Sequence, residues 1–157
     1  MKKFITNYGA SLLGYLIISF LGFLVFALME YTTRVPNVVT DAPRNVPLWV
    51  EAILWAHVLI AIALCFYLGT KLSLLGNHLL SFLSISGGLV FGLLSMFLGS
   101  YMLIFPQFAF LRLSMFIQDN INSNLCIVVA VISILPPLST WLGMLYKSRR
   151  TSVGDRR

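Results

Sequence analysis

The sequence predicts an all-α integral membrane protein in which four transmembrane helices form one bundle and both termini are cytoplasmic. The first observation is composition. Of the 157 residues, 59% are hydrophobic and only 10% are charged, against about 25% charged in a soluble domain. Mean hydropathy is +0.91. A small soluble domain has too much surface for so few charges, and a disordered chain requires low hydrophobicity.

The second observation is that the apolar residues fall into four long runs. A helix needs about 20 mainly apolar residues to cross the hydrocarbon core, and backbone groups in lipid must be paired within the helix. The first run exceeds the roughly 7–15 apolar residues of a signal peptide, so we expect it to remain as a span. The four predicted spans, which make residues 1–157 a single membrane domain, cover residues 8–29, 52–70, 79–105 and 125–146.

The third observation is the distribution of the basic residues that give the chain its net charge of +6. Basic residues in short flanks mark the cytoplasmic side of a membrane protein. One predicted side carries Lys2, Lys3, Lys71, Lys147, Arg149, Arg150, Arg156 and Arg157, and the other carries Arg34, Arg44 and Arg112. Eight basic residues against three predict that both termini are cytoplasmic. A five-span alternative, which divides residues 79–117, would place the basic tail outside and needs about 40 residues, so it is disfavoured.

The connecting segments also have distinct characters. The first outer loop, 30–48, contains three prolines and is expected to be irregular; it is either a plain connector or a surface that meets a receptor or a toxin. The inner link, 71–78, is short enough to make spans two and three an antiparallel hairpin. The second outer segment, 106–124, mixes apolar and polar residues and predicts a short helix at the outer interface. Its alternative is an extension of the third helix beyond a bend at Pro106.

The third predicted helix carries a stripe of small residues. At 100° per residue, the six positions lie within about 40° of Gly88 on one face, and small residues allow helices to approach closely in lipid. They are Ser81, Ser84, Gly88, Gly92, Ser95 and Gly99. The stripe serves packing inside the bundle, or forms a homo-oligomer interface, or lines a polar path along an oligomer axis. Weaker stripes of alanine, serine and threonine occur on the second and fourth helices.

Two features of the spans could carry chemistry. Pro136 and Pro137 remove two backbone donors and predict a break in the fourth helix, which is either a simple kink or a midplane site of the kind found in transporters. His57 is the one ionisable candidate inside the predicted spans. It is either a hydrogen-bonded packing residue or a polar site.

The sequence offers no catalytic, cofactor or metal constellation. We expect no metal site, because no His, Cys and carboxylate cluster has ligand spacing, and no cofactor, because no glycine-rich phosphate loop occurs. Cys65 and Cys126 are separated by some 20 Å of predicted depth, which excludes a disulfide between them. The positive charge is explained by membrane flanks and gives no reason to expect direct nucleic-acid binding.

These observations favour a non-catalytic, multi-pass membrane subunit that self-assembles and binds a partner. The expected interface for self-assembly is the stripe. The expected site for anionic lipid headgroups or a cytosolic protein is the basic tail, 147–157, through Lys147, Arg149, Arg150, Arg156 and Arg157. The expected location is a bacterial inner membrane, and the architecture is shared by sensors, scaffolds, immunity proteins and phage-defence components. The alternatives are a small ion or solute channel or transporter and a holin-like pore former.

Overall fold

The computed structural model describes residues 1–33, 47–98, 109–121 and 125–154. In that part of the chain all regular structure is helical, so the predicted all-α class is confirmed. The helices are α1 (Lys2–Thr33), α2 (Leu48–Lys71), α3 (His78–Leu83), α4 (Gly87–Leu98), α5 (Leu111–Ile121), α6 (Leu125–Ile132) and α7 (Leu135–Gly154).

Three stretches are long and apolar enough to cross a membrane. They are Lys2–Met29, Leu48–Lys71 and Ile127–Arg150, and they correspond to the first, second and fourth predicted spans. The third of these stretches runs through α6 and α7. The protein is therefore a helical protein with three candidate membrane-spanning helices.

The third predicted span is not one continuous helix. A turn over Ser84–Ser86 separates α3 from α4, and residues 99–105, which were expected to complete the span, lie outside the described residues. In the turn, the Ile85 and Ser86 amides donate to carbonyls three residues back, at 3.1 and 3.3 Å. The Ser84 and Ser86 hydroxyls also donate to carbonyls three residues back. Serine hydroxyls compete for helix carbonyls in this way, so the local sequence tightens the chain into a turn.

A second turn lies between α6 and α7, at Ser133 and Ile134. Pro136 and Pro137 follow in the first turn of α7 and provide no amide for the carbonyls of Ile132 and Ser133. The Ser133 hydroxyl donates to the Ala130 carbonyl at 2.6 Å, and the Thr140 hydroxyl donates to the Pro136 carbonyl at 2.8 Å. Polar side chains thus bond backbone carbonyls on both sides of the proline pair.

The described part of the chain buries several polar side chains and exposes many large apolar ones. Side chains that are almost fully buried include the hydroxyls of Ser19, Ser81, Ser84, Ser114 and Ser133. The surfaces of α1 and α2 expose many leucine, isoleucine and aromatic side chains. A soluble protein rarely exposes a continuous apolar surface of this kind, whereas lipid is a suitable environment for it.

The main core is built by α1, α2, α6 and the residues just before α5. Among the described residues, α2 and α7 form the most extensive helix pair. Tyr15 and Ile18 of α1 meet Ala61 and Cys65 of α2 in the main core. Phe110, which immediately precedes α5, belongs to the same core and is completely buried. The chain before α5 therefore enters the bundle interior, and this fixes where α5 begins.

Candidate functional site

The structure brings the basic segments of three helices to one end of the bundle. The Asn7 side-chain amide of α1 donates to the Ser73 carbonyl, just beyond α2, at 2.8 Å. The Lys147 ammonium of α7 donates to the Leu72 carbonyl at 3.1 Å. These bonds join the start of α1, the end of α2 and the basic part of α7. We call this region the basic end; its described basic residues are Lys2, Lys3, Lys71, Lys147, Arg149 and Arg150.

The link between α2 and α3 organises the basic end. Asn77 caps α3 by accepting a hydrogen bond from the Leu79 amide at 2.9 Å, which satisfies one of the free amides of the first turn. The Ser81 hydroxyl accepts a hydrogen bond from the Leu75 amide at 2.9 Å. Its own proton reaches the Asn77 carbonyl at 2.9 Å or the Leu75 carbonyl at 3.2 Å. The link is therefore held by side chains from both α1 and α3.

The basic residues predicted as a lipid or partner site have different surroundings. Lys147 donates a hydrogen bond to the Leu72 carbonyl, just beyond α2. Its positive charge there stabilises the C-terminal end of that helix. Arg149 and Arg150 lie on α7 with exposed side chains, while Arg156 and Arg157 lie outside the described residues. Lys71, which was counted only for orientation, lies over the Tyr67 ring at 4.9 Å from its centroid. No acidic residue belongs to the described part of the basic end.

Three pockets open at the basic end. One, of about 750 Å³, lies between the start of α1 and the link with Leu80. A second, of about 240 Å³, lies beside Lys147 and Leu72. A third, of about 380 Å³, is lined by Thr70, Tyr146, Lys147 and Arg150. Concave surface and positive charge therefore coincide in this region.

The opposite end is held by an ion pair that the sequence did not predict. The Arg112 guanidinium of α5 binds the Glu51 carboxylate of α2 through two nitrogens, with Nε donating to Oε2 at 3.0 Å and the second nitrogen donating to Oε1. Nearby, the rings of Trp55 and Phe116 meet edge to face at 5.4 Å between centroids. Sequence reasoning assigned Glu51 to the dipole of its own helix. The pair joins residues 61 apart in sequence, and no local signal identifies such partners.

The helix α5 packs differently from the expected interfacial helix. Ser114 is buried, and the partly buried Leu113 and Ile117 pack against the main core. Asn120 and Phe116 are exposed. The apolar face of α5 is thus covered by protein, while the boundary residues of the predicted segment, 106–108 and 122–124, lie outside the described residues.

His57 lies against α1 and the start of the α5 segment. Its Nε2 atom is buried and has no hydrogen-bond partner among the described residues. A Cβ placed on Gly22 would lie 2.9 Å from this atom and 2.7 Å from the Ala109 amide nitrogen. The imidazole is therefore wedged at a close contact between α1 and the chain entering α5.

The described half of the small-residue stripe packs inside the chain. Ser81 bonds the link, and Ser84 receives a hydrogen bond from the Asn7 amide at 3.4 Å. A Cβ on Gly88 would lie 2.9 Å from the Tyr15 ring of α1. Gly92 and Ser95 fall within α4, and Gly99 lies outside the described residues. Packing within the bundle accounts for the first three positions, so they are not available on the surface for self-assembly.

Among the described residues, no group of three His, Cys, Asp or Glu side chains could hold a metal ion. Cys65 is a free, buried thiol within the core. Comparison of the chain with protein-family models, with curated proteins and with solved structures found no match.

Proposed function

We propose that this chain is a non-catalytic, multi-pass subunit of a bacterial inner membrane, that both termini are cytoplasmic, and that it acts by binding a cytosolic partner at its basic end. The observation that carries the proposal is the convergence of Lys2, Lys3, Lys71 and the basic residues of α7 at one end of an apolar helix bundle. Positive charge on one side of a membrane protein indicates the cytoplasmic side.

Four membrane crossings are supported by connectivity. The chain reaches the basic end at the close of α2, and α7 returns to the same end through Lys147. The stretch from α6 to α7 is one candidate span, so α6 begins at the opposite end. An odd number of membrane crossings between α2 and α6 would connect these two ends. One crossing, which includes α3 and α4, is the simplest arrangement.

The bonding of the buried hydroxyls weighs against the channel alternative. Ser84, Ser114, Ser133 and Thr140 each donate to a backbone carbonyl of their own helical segment. The proton of each hydroxyl is therefore used inside its helix, and all four side chains are buried within the described part of the chain. Ser81 and Ser84 of the stripe are also buried, so the polar-path interpretation loses its support among the described residues.

We propose self-assembly only through the C-terminal half of the stripe, which consists of positions 92, 95 and 99. Ser81, Ser84 and Gly88 are covered by the link and by α1. A homo-oligomer would have to use positions 92, 95 and 99. The proposal of partner binding at the basic end does not depend on it.

The proposal is tested by in-cell crosslinking followed by affinity capture of the full-length protein. A triple variant, with Arg150, Arg156 and Arg157 changed to Gln, keeps Lys147 and its bond to α2. It should lose a specific cytosolic partner. A control variant, with Arg34 and Arg44 changed to Gln, removes positive charge from the predicted opposite side and should retain the partner. Equal capture by the parent and both variants would refute the role of the tail.

A further inference from the structure

The largest of the three pockets at the basic end is a groove between α1 and the link. Its lining consists of residues 1–5 of α1 together with Leu75 and Leu80. Its volume, about 750 Å³, is within the roughly 300–1,000 Å³ of small-molecule sites. We call it the α1–link groove.

The groove is built before any ligand enters it. Leu75 is fixed because its amide and its carbonyl both lie within hydrogen-bond distance of the Ser81 hydroxyl, at 2.9 and 3.2 Å. The link is also tied to α1, since the Asn7 side chain bonds the Ser73 carbonyl at 2.8 Å and the Ser73 amide at 3.4 Å. Asn7 and Ser81 are themselves buried. A ligand would therefore meet a wall that needs little ordering.

The chemistry of the groove has two parts. Its floor is apolar and is formed by Phe4, Ile5, Leu75 and Leu80. Leu80 is 48% exposed, and Leu83, one turn further along α3, is 45% exposed. These two leucines extend an apolar track from the groove along the outer surface of α3.

The rim of the groove is positively charged. Lys2 and Lys3 lie in the first turn of α1, and that turn contains no acidic residue. Two cations at a helix N-terminus are unfavourable, because the macrodipole already places partial positive charge there. An anion bound at this point would relieve both the lysines and the free amides of the first turn.

We propose that the α1–link groove binds one anionic phospholipid, with its phosphate at Lys2 and Lys3 and an acyl chain along Leu75 and Leu80. An acyl chain requires no hydrogen bonds, which suits a wall whose Leu75 amide already donates to the Ser81 hydroxyl. A peptide would require backbone partners there. The inference rests on the membrane location in the proposed function, because that location puts the rim at the level of the lipid headgroups.

The test is a lipid titration of the full-length protein in non-ionic detergent, followed by native mass spectrometry. Dioleoyl phosphatidylglycerol is the anionic probe, and dioleoyl phosphatidylcholine is the zwitterionic one. We expect one phosphatidylglycerol to bind at least tenfold more tightly than phosphatidylcholine. Each lysine near an anionic headgroup contributes about a factor of five in affinity. Changing both Lys2 and Lys3 to Gln should therefore weaken binding by about 30-fold.

Two matched controls distinguish lipid binding in the groove from non-specific effects of positive charge or apolar surface. Changing Lys71 and Arg150 to Gln removes the same charge from the same end and should leave the tight site intact. Leu80→Trp fills the groove and should weaken binding at least tenfold, whereas Leu79→Trp, at an exposed neighbour that does not line the groove, should not. If Leu80→Trp lowers the Tm, Ile5→Trp fills the groove from the α1 side and replaces it.

Several results would overturn the inference. They are equal binding of the two lipids, equal loss in the two charge variants, and equal loss in the Leu79 and Leu80 variants. The titration contains no cytosolic partner, so its failure is independent of the capture experiment. Equal partner capture by the parent and the tail variant, with normal lipid binding, would instead reject the tail as a docking site and keep the groove.

Discussion

Gly69 of α2 and Gly143 of α7 meet where these two helices cross most closely. A Cβ added to Gly69 would overlap the Thr140 carbonyl oxygen, and a Cβ added to Gly143 would overlap the Phe66 carbonyl oxygen. Each added atom would also lie 3.1 Å from the Cα of the other glycine. The contact is therefore reciprocal and made by backbone atoms. Small residues permit this approach, and it brings Cα hydrogens close to carbonyl oxygens across the interface.

The first prediction concerns this crossing. Gly69→Ala and Gly143→Ala should each destabilise the protein by about 1–3 kcal/mol or more, because a backbone carbonyl cannot move aside as a side chain can. The matched control is Gly9→Ala in α1, where a Cβ has open space and alanine favours the helix. Thermal unfolding in detergent, followed by circular dichroism, measures the difference. Identical Tm values for Gly69→Ala and Gly9→Ala would contradict the backbone contact.

The second prediction concerns the pair between Glu51 and Arg112. Glu51→Gln or Arg112→Gln should cost about 1.5–3 kcal/mol, since a hydrogen-bonded charge loses its partner in a site where both side chains are less than one-third exposed. The double exchange, Glu51→Arg with Arg112→Glu, should recover part of the loss. Hydrogen exchange of the α5 amides reports the effect locally, and Lys71→Gln serves as a charge control. If hydrogen exchange of the α5 amides is unchanged in Arg112→Gln, the ion pair does not hold α5 against α2.

A third prediction separates bundle packing from self-assembly. Gly88→Leu should lower the Tm of the single chain, because the new side chain collides with the Tyr15 ring. The Gly88→Leu variant should keep the subunit number of the parent protein. Gly92→Leu tests the C-terminal half of the stripe, where self-assembly remains proposed. Native mass spectrometry gives the subunit number, and calorimetry in the same detergent gives the Tm. An altered subunit number in Gly88→Leu, with the Tm unaffected, would reverse this assignment.

A fourth prediction concerns the hold of α1 on the link. Asn7→Ala should destabilise the protein by about 1–3 kcal/mol, since it removes the partner of the part-buried Ser73 carbonyl and of the buried Ser84 hydroxyl. Thr6→Ala is the neighbouring control, because the Thr6 hydroxyl bonds only the carbonyl of Lys2 on the exposed side. The Ser73 amide should exchange faster in Asn7→Ala than in Thr6→Ala. If the Ser73 amide exchanges at the same rate in both variants, Asn7 does not hold the link to α1.

Sequence reasoning recovered the parts of the fold that depend on composition over many residues. Three of its four spans correspond to long apolar helices, because apolar length alone decides whether a segment suits a bilayer. The third span was wrong as one continuous helix over the described residues. The hydroxyls of Ser84 and Ser86 donate to nearby backbone carbonyls and compete with the helix amides for them. Hydropathy does not reveal this competition, because the surrounding residues are apolar or small.

The candidate site was recovered only in part. The basic residues were identified as a set, and their common end follows from alternating helix directions. The α1–link groove was not foreseen, since it depends on Asn7 and Ser81, two polar residues that no motif distinguishes. Gly69 and Gly143 were also missed, because the small-residue patterns on the second and fourth helices pointed to alanine, serine and threonine positions instead.

The sequence by itself determined that the chain is helical, that most of it suits a bilayer, and that its positive charge concentrates in a few flanks. These properties are sums over local residues, so they need no knowledge of which helix meets which. The tertiary structure decided the partners: Gly69 with Gly143, Glu51 with Arg112, and Asn7 with Ser73. Each pair joins residues far apart in sequence, and short-range contacts between backbone and polar groups select it. The periodicity of the sequence therefore does not identify these pairs.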